Sequence, residues 1–204
     1  IRVIDNDTGR GIPLVQLTTV NHRSFMSDSH GVIAFDEPGL MNRRVFFHVS
    51  SHGYEYDKDG FGYRGRAIPI KAGGTTTLKL QRINIAERLY RVTGQGKYRD
   101  SRFLGLDIPV REDLPGGVLG SDSVLTETIG NMIYWFWGDT NRSEYPLGNF
   151  HVPGARSKLP SNGGLDPHIG IDLEYFVNEK GFAKETCKMP GKGPTWLDCL
   201  MKIE

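Results

Sequence analysis

The strongest constraint on the fold is a two-residue alternation of apolar and polar side chains along the first part of the chain. It is clearest in VQLTT at 15–19, VFFHV at 45–49 and TLKLQ at 77–81. Clusters of Gly, Asp and Ser separate these segments, and no stretch of residues 1–82 has a convincing helical period. Period two is that of a half-buried strand, whose side chains point alternately to the two faces of a sheet. The spacing of the turns predicts an antiparallel β-sandwich over residues 1–82.

Length and composition extend the β prediction to the whole chain. The 204 residues suffice for one large or two small domains, and 26 glycines with 11 prolines favour short strands joined by turns. Residues 83–117 are rich in Gly, Pro and charge, as connectors are, and residues 118–204 return to strand-like segments. We therefore expect an all-β protein with a sandwich at 1–82, a connector at 83–117 and a second β region at 118–204.

Charge and hydropathy argue against several classes of function. The net charge of +1 gives no electrostatic footprint for nucleic acid, and no apolar run is long enough to span a membrane. Asp57-Lys58-Asp59-Gly60 resembles half of a calcium loop but lacks the downstream Glu, which favours a solvated turn. Without a phosphate loop, dinucleotide fingerprint, serine elbow or zinc ligand set, we expect neither a cofactor nor a metal. The chain opens within the strand-like IRVID and ends without a terminating signal, which indicates a piece of a longer or processed protein.

Four short motifs follow one another in residues 1–82. They are V-x-D-x-x-T-G-x-G-I-P-x-V-x-L, S-D-S-H-G-V-I-A-F, H-V-S-S-H-G-Y-E and T-T-L-K-L. In this order they resemble the carboxypeptidase-regulatory-like, transthyretin-type domain, over about two-fifths of the chain. The resemblance implies a prealbumin-like sandwich that serves as an accessory domain in a secreted or surface protein and performs no catalysis.

The sharpest sign of chemistry is a pair of carboxylates at the ends of a predicted hairpin. GSDSVLTETI and MIYWFWGDT read as two strands joined by a turn at Gly130-Asn131, with Asp122 opening the first and Asp139 closing the second. An antiparallel pairing brings these acids together at one rim of the sheet. Paired carboxylates beside aromatic rings suit glycoside chemistry, in which one is the acid and the other the base or nucleophile. The alternative is that G-D-T is an ordinary turn whose Asp caps backbone N–H groups.

The same hairpin carries a second resemblance. V-L-G-S-D-S-V followed by N-x-I-Y-W-F-W-G-D-T is similar to the first blade of five-bladed β-propeller glycosidases, including the endo-arabinanase-like group. The resemblance implies that Asp122 is the inner-strand acid of a central funnel and that Asp139 is the acid of the G-D-T motif. Five blades need five four-stranded sheets. At most one blade and part of a second fit after residue 117, so this chain alone is expected to hold an incomplete site.

Other residues near the hairpin are candidates for contacting a sugar. Trp135 and Trp137 alternate with other aromatic residues along the second strand, and such rings stack on the apolar faces of sugars. A long, turn-rich stretch follows at 141–168, and loops of that length are commonly functional. It contributes the further substrate-binding candidates Asn141, Arg142, Tyr145 and His151.

The two cysteines of the chain, Cys187 and Cys199, lie close together in a Gly/Pro-rich stretch. In a secreted protein they are a disulfide candidate. The alternative is two unrelated thiols, because spacing along the chain does not establish the geometry of a bridge.

Two functions from different classes are compatible with these features. The first is a fragment of a secreted carbohydrate-active protein, a propeller-type glycoside hydrolase with a polysaccharide substrate and Asp122 and Asp139 as its acid/base pair. The second is a non-catalytic extracellular binding, adhesion or assembly protein built from β modules. Its partners would include the rest of the polypeptide or other copies of itself. Both imply a secreted, periplasmic or cell-surface location.

Overall fold

The chain is all-β and forms two compact units. A computed structural model describes residues 1–110 and 114–203. Strands hold 34% of the residues and helices 7%, which confirms the predicted fold class. The units are Ile1–Arg91 with Tyr98–Ile108, and Val92–Lys97 with Pro109–Glu204. The stretch predicted as a connector, 83–117, is therefore divided between them.

The first unit contains seven strands in two sheets. They are Arg2–Asp5 (β1), Gln16–Thr19 (β2), Ser24–Met26 (β3), Arg44–Ser50 (β4), Tyr54–Glu55 (β5), Gly65–Pro69 (β6) and Thr77–Arg82 (β7). A three-stranded sheet has the order β1-β7-β5, with β1 and β7 parallel. A four-stranded antiparallel sheet has the order β3-β2-β4-β6.

The inner faces of these two sheets meet in one apolar core. Val3, Leu78 and Leu80 enter it from the three-stranded sheet, and Leu17 and Phe47 from the four-stranded sheet, all fully buried. Full burial of a large apolar side chain contributes about 1.5–3 kcal/mol, so this core is the main source of stability of the unit. The apolar positions of the predicted alternation are thus the buried ones.

Residues 83–91 belong to the first unit, and Arg88 joins them to it by hydrogen bonds and a ring contact. The guanidinium of Arg88 donates to the carbonyls of Pro13 and His52 at 2.7 and 2.6 Å, and it lies 5.9 Å from the centroid of the Tyr54 ring. Its backbone N–H donates to the Tyr54 hydroxyl at 3.0 Å. The segment 83–94 forms neither a strand nor a helix.

A short helix, Arg99–Phe103 (α1), packs on the first unit through buried polar groups. The Asp100 carboxylate accepts the backbone N–H of Ala34 at 3.1 Å, and burial raises the pKa of Asp100. The ring of Tyr98 meets the ring of His30 edge to face, with 4.8 Å between centroids. Burial raises the pKa of Tyr98 to about 12.

The second unit contains two antiparallel sheets. Its strands are Val118–Ser121 (β8), Val124–Ile129 (β9), Met132–Trp137 (β10), Thr140–Arg142 (β11), Tyr145–Asn149 (β12), Gly154–Lys158 (β13) and Glu174–Tyr175 (β14). The sheet orders are β14-β13-β10-β9 and β12-β11-β8. Single 3₁₀ turns occur at Pro115–Gly117 and Pro160–Asn162 in this unit, and at Pro38–Leu40 in the first.

The predicted hairpin is present, and it bends at its open end. β9 and β10 pair around the turn at Gly130-Asn131, with Ile129 opposite Met132. The same two segments of chain pair again as β8 and β11, where Thr140 lies opposite Ser121, but in the other sheet. The bend falls between the two pairings, where Ser123 has a φ of 41°. One long hairpin therefore contributes to both sheets of the unit.

One expectation about the second unit is wrong. The stretch 141–168, expected to be a loop, contains β12 and β13, whose sequences YPLGN and GARSK show no clear alternation. The described residues from 195 onward contain no strand. Among the described residues, no helix has the length and apolar character of a membrane span.

Candidate functional site

Asp122 and Asp139 meet at the bend of the hairpin, where hydrogen bonds join them. Asp122 Oδ1 accepts the backbone N–H of Asp139 at 2.9 Å, and the backbone N–H of Asp122 donates to the Asp139 carbonyl at 3.1 Å. Gly138 leaves room for this carboxylate, because a Cβ at that position would clash with Asp122 Oδ1 and the side chain of Asp122 would have to move. The predicted proximity of the two residues is therefore confirmed. The backbone cap considered for the G-D-T acid is instead made by Asp122.

Asp139 holds an exposed aromatic ring at the same rim. The indole N–H of Trp196 donates to Asp139 Oδ1 at 3.0 Å, while Trp196 remains 60% exposed. The neighbouring Thr195 fixes this segment, since its N–H donates to the Phe150 carbonyl at 2.9 Å and its hydroxyl lies 3.4 Å from His151 Nδ1. Trp196 is not among the residues predicted from the sequence, where its only signal is a Trp within a Gly/Pro-rich segment. The rim thus combines two carboxylates with an accessible ring.

The aromatic residues of β10 that point to one face form a stack with Tyr175. The ring centroids of Trp135 and Trp137 are 6.4 Å apart at an interplanar angle of 9°, and those of Trp137 and Tyr175 are 5.3 Å apart at 24°. Trp137 and Tyr175 are buried in the core of the unit, and burial raises the pKa of Tyr175. Trp135 is only partly buried, and its indole N–H donates to Ser157 Oγ at 2.9 Å. Of the two tryptophans, Trp135 is the one placed to meet a ligand.

A groove of about 550 Å³ opens beside Trp135. It is lined by β10, β13 and the 160–174 segment, which supply Trp135, Ser157, Leu165, Ile171, Asp172 and Leu173 among others. Trp135 therefore helps to form a groove. Neither Asp122 nor Asp139 is among the lining residues. The carboxylate pair and the groove at Trp135 are thus two separate features of the second unit, although the sequence predicts the acids and the aromatic rings together.

An ion pair lies at the wall of this groove. Arg156 Nε and Nη2 donate to the two carboxylate oxygens of Glu174, each at 2.8 Å, across the β13–β14 pairing. These hydrogen bonds lower the pKa of Glu174 and raise the pKa of Arg156. Both side chains are exposed, so the attraction is screened by solvent and contributes little to stability. Its parallel hydrogen bonds do fix the orientation of the two side chains, which the strand register places with Tyr134, on the other face of the sheet from the Trp135 ring.

The remaining predicted binding residues flank the turn at 143–144 that joins β11 to β12. Asn141 and Arg142 end β11, Tyr145 begins β12, and His151 follows β12. Asn141 Oδ1 accepts the N–H of Leu147 at 2.7 Å, and the guanidinium of Arg142 lies 5.8 Å from the centroid of the Phe182 ring. Tyr145, opposite Arg142 in the pairing, is 63% exposed. Asn141 and Arg142 therefore have contacts that shape this turn, whereas Tyr145 is open to solvent. His151, half-buried beside Thr195, is the one of the four that lies next to the Trp196 segment.

The predicted disulfide is not formed in this structure, because both cysteines are free thiols. Cys187 is half-buried, with its sulfur 3.6 Å from the Thr186 hydroxyl and its N–H bonded to the His151 carbonyl. Cys199 is exposed in a segment without regular structure. Closeness in sequence has therefore not brought the two sulfurs together.

Comparisons with protein-family models, with curated proteins and with solved structures gave no match. Within the part of the chain that the structure describes, no group of three or more His, Cys, Asp or Glu side chains is placed to hold a metal ion. The case for a function therefore rests on the geometry of the rim and the groove.

Proposed function

We propose that this chain is part of a secreted carbohydrate-active protein, a glycoside hydrolase of the five-bladed propeller type with a polysaccharide substrate. The observation that carries the proposal is the exposed ring of Trp196 held on the carboxylate of Asp139, beside Asp122. Glycoside hydrolysis needs two carboxyl groups, and a neighbouring ring supplies a surface for the apolar face of the sugar.

The hydrogen bonds assign different tasks to the two acids. Asp122 Oδ1 holds the backbone of Asp139 at the bend, and this fixes where the Asp139 side chain starts. Asp139 carries the ring contact, so it is the acid that meets the sugar. In the reaction one carboxyl group protonates the leaving oxygen, while the other activates water or bonds to the anomeric carbon. Further parts of the site would come from chain beyond this piece.

A second candidate is a glycan-binding protein without catalysis. The observation in its favour is that Asp122 Oδ1 already accepts a backbone N–H, while the groove at Trp135 lies apart from both acids. Trp135 offers a ring next to a fixed polar group, the hydroxyl of Ser157 that accepts its indole N–H, and such a combination orients ligands in binding sites. Such a protein would retain a glycan and release no product.

The experiment that decides between them is an assay for reducing ends on a panel of polysaccharides with the intact natural protein. Asp139→Asn is expected to abolish cleavage while leaving the melting temperature nearly unchanged. Glu179→Gln is the matched control, since Glu179 is an exposed acid on a turn of the same unit. Loss of stability in Asp139→Asn with cleavage retained would make Asp139 a structural residue and reject the proposed acid pair, and the absence of cleavage by the wild type would reject the hydrolase. Retention of a glycan without product release would favour the binding protein.

Two substitutions of Trp196 separate its ring from its hydrogen bond. Trp196→Phe keeps a ring but loses the N–H that Asp139 accepts, whereas Trp196→Ala loses both. A stacking role predicts a larger rise in KM for Ala than for Phe. Equal KM values for the two variants would show that the Trp196 ring does not contact the sugar.

A further inference from the structure

The outer face of the four-stranded sheet in the first unit carries a distinct set of side chains, here called the outer patch. It consists of Gln16, Thr18, Ser24, Phe46, His48 and Tyr63. The strand register places Thr18 opposite both Ser24 and His48, and His48 opposite Gly65. These positions alternate with core residues such as Leu17 and Phe47, so their side chains lie on the face away from the core.

Three of these side chains form a row of rings. The centroids of Phe46 and His48 are 5.0 Å apart, and those of His48 and Tyr63 are 5.6 Å apart. Gly65 makes room for the row, because a Cβ there would lie 2.7 Å from the tip of the Phe46 ring. Tyr63 is 57% exposed, and the turn before it is fixed by Asp59 Oδ1, which accepts the Tyr63 N–H at 3.0 Å.

The other three side chains form an uncharged hydrogen-bonded cluster. The side-chain amide of Gln16 donates to the hydroxyls of Thr18 and Ser24, each at 3.0 Å. These two hydroxyls lie 3.1 Å from each other. The cluster is exposed or half-buried and already ordered, so a ligand that bonds to it pays little of the entropy cost of fixing side chains.

We propose that the outer patch binds a neutral polysaccharide. A sugar ring has apolar C–H faces, which fit an aromatic row, and hydroxyl groups around its edge, which fit neighbouring amide and hydroxyl groups. None of the six residues is Asp, Glu, Lys or Arg, and among the strand residues on this face only Arg44, at the far end of β4, is charged, which favours a neutral ligand over an acidic or basic polymer. Strands lie about 4.8 Å apart, so the four strands present a surface long enough for several consecutive sugars.

This site is independent of the acids and tryptophans of the second unit. It involves other residues, requires no catalytic group and would hold a polymer whether or not the chain takes part in cleavage. The first unit would therefore act as a targeting module.

The test is affinity electrophoresis of the 204-residue chain in native gels that contain a soluble neutral polysaccharide, with mixed-linkage β-glucan, xylan, arabinan and starch run in parallel. The chain is expected to be retarded by at least one of them. Tyr63→Ala should weaken that binding by about tenfold, and Gln16→Ala by several-fold.

Phe103→Ala is the matched control, because Phe103 is a 77% exposed ring of the same unit outside the outer patch. Thermal melts of each variant confirm that it is folded, and Gln16→Ala gives an answer even if Tyr63→Ala does not fold.

Several results would overturn the proposal. One is the absence of retardation by all four polymers, and another is retardation that survives in both Tyr63→Ala and Gln16→Ala. A dimer in size-exclusion chromatography that is lost in Tyr63→Ala, without retardation by any polymer, would show instead that the patch joins copies of the chain. Asp139→Asn should be retarded like the wild type, so this test can fail or succeed separately from the proposed hydrolysis.

Discussion

The carboxylate of Asp28 accepts a hydrogen bond from the backbone N–H of Ser101 at 2.7 Å, across 73 residues of chain. Its other oxygen accepts the N–H groups of His30 and Val32 at 3.0 and 3.1 Å. Asp28 is only 4% exposed, so water cannot easily replace its carboxylate as the acceptor for these three N–H groups. One side chain thus fastens α1 to the turn after β3.

Replacing Asp28 is therefore expected to be costly for the first unit. Asp28→Ala leaves three backbone N–H groups without an acceptor and should lower the free energy of unfolding by about 3 kcal/mol or more. Urea denaturation followed by circular dichroism measures this change. The control is Asp36→Ala, at an exposed position, which should stay within about 0.5 kcal/mol of the wild type. Similar midpoints for the two variants would contradict the role assigned to Asp28.

The stability of the first unit should depend on pH through His30. Burial lowers the pKa of His30, an effect that nearby Asp28 opposes and Arg2 reinforces. The folded state then binds fewer protons than the unfolded state, so stability is lost as the pH falls below about 6.5. His30→Phe keeps a ring against Tyr98 and should flatten the dependence of the urea midpoint between about pH 5 and pH 7. His52→Phe, at an exposed position, is the control, and an unchanged slope in His30→Phe would assign the dependence to other groups.

The bend of the hairpin should not tolerate a side chain at Gly138. Gly138→Ala places a methyl group against Asp122 Oδ1, and relieving the clash must break the hydrogen bond to the Asp139 N–H. We expect a loss of about 1–3 kcal/mol and faster hydrogen exchange in β9 and β10. Gly193→Ala is the control, because open space surrounds that position. Wild-type exchange in Gly138→Ala would mean that the cap does not hold the bend.

Thiol titration checks the state of the cysteines. Under denaturing, non-reducing conditions both Cys187 and Cys199 should react, since both are free thiols. In the native protein the exposed Cys199 should react faster than the half-buried Cys187. A titration that finds neither thiol would restore the disulfide that the sequence predicts.

The sequence predicts the parts of the fold that depend on local periodicity. The burial of Leu17, Phe47 and Leu80 follows from alternation along single strands, and the Gly130-Asn131 turn sets the register that brings Asp122 to Asp139. These features need only information within a few residues, or a count of residues from a turn.

The features that cannot be predicted from the sequence alone depend on contacts between segments that lie far apart along the chain. The contact of Trp196 with Asp139 spans 57 residues, and Arg88 joins the first unit through carbonyls at positions 13 and 52. No periodicity encodes such contacts. The strands YPLGN and GARSK are not predictable from their own sequences, because Pro and Gly interrupt the alternation of apolar and polar residues. Pairing with the neighbouring strands places them in the sheets.

The parallel pairing of β1 with β7 also bears on how the protein is made. Arg2 lies opposite Thr77, whereas the four strands of the antiparallel sheet are complete at Pro69. On the ribosome, that sheet can assemble before β7, the parallel partner of β1, has been synthesised. The edge of β1 that pairs with β7 stays open during that interval, which is when a nascent chain is most exposed to chaperone binding or to pairing with the wrong edge.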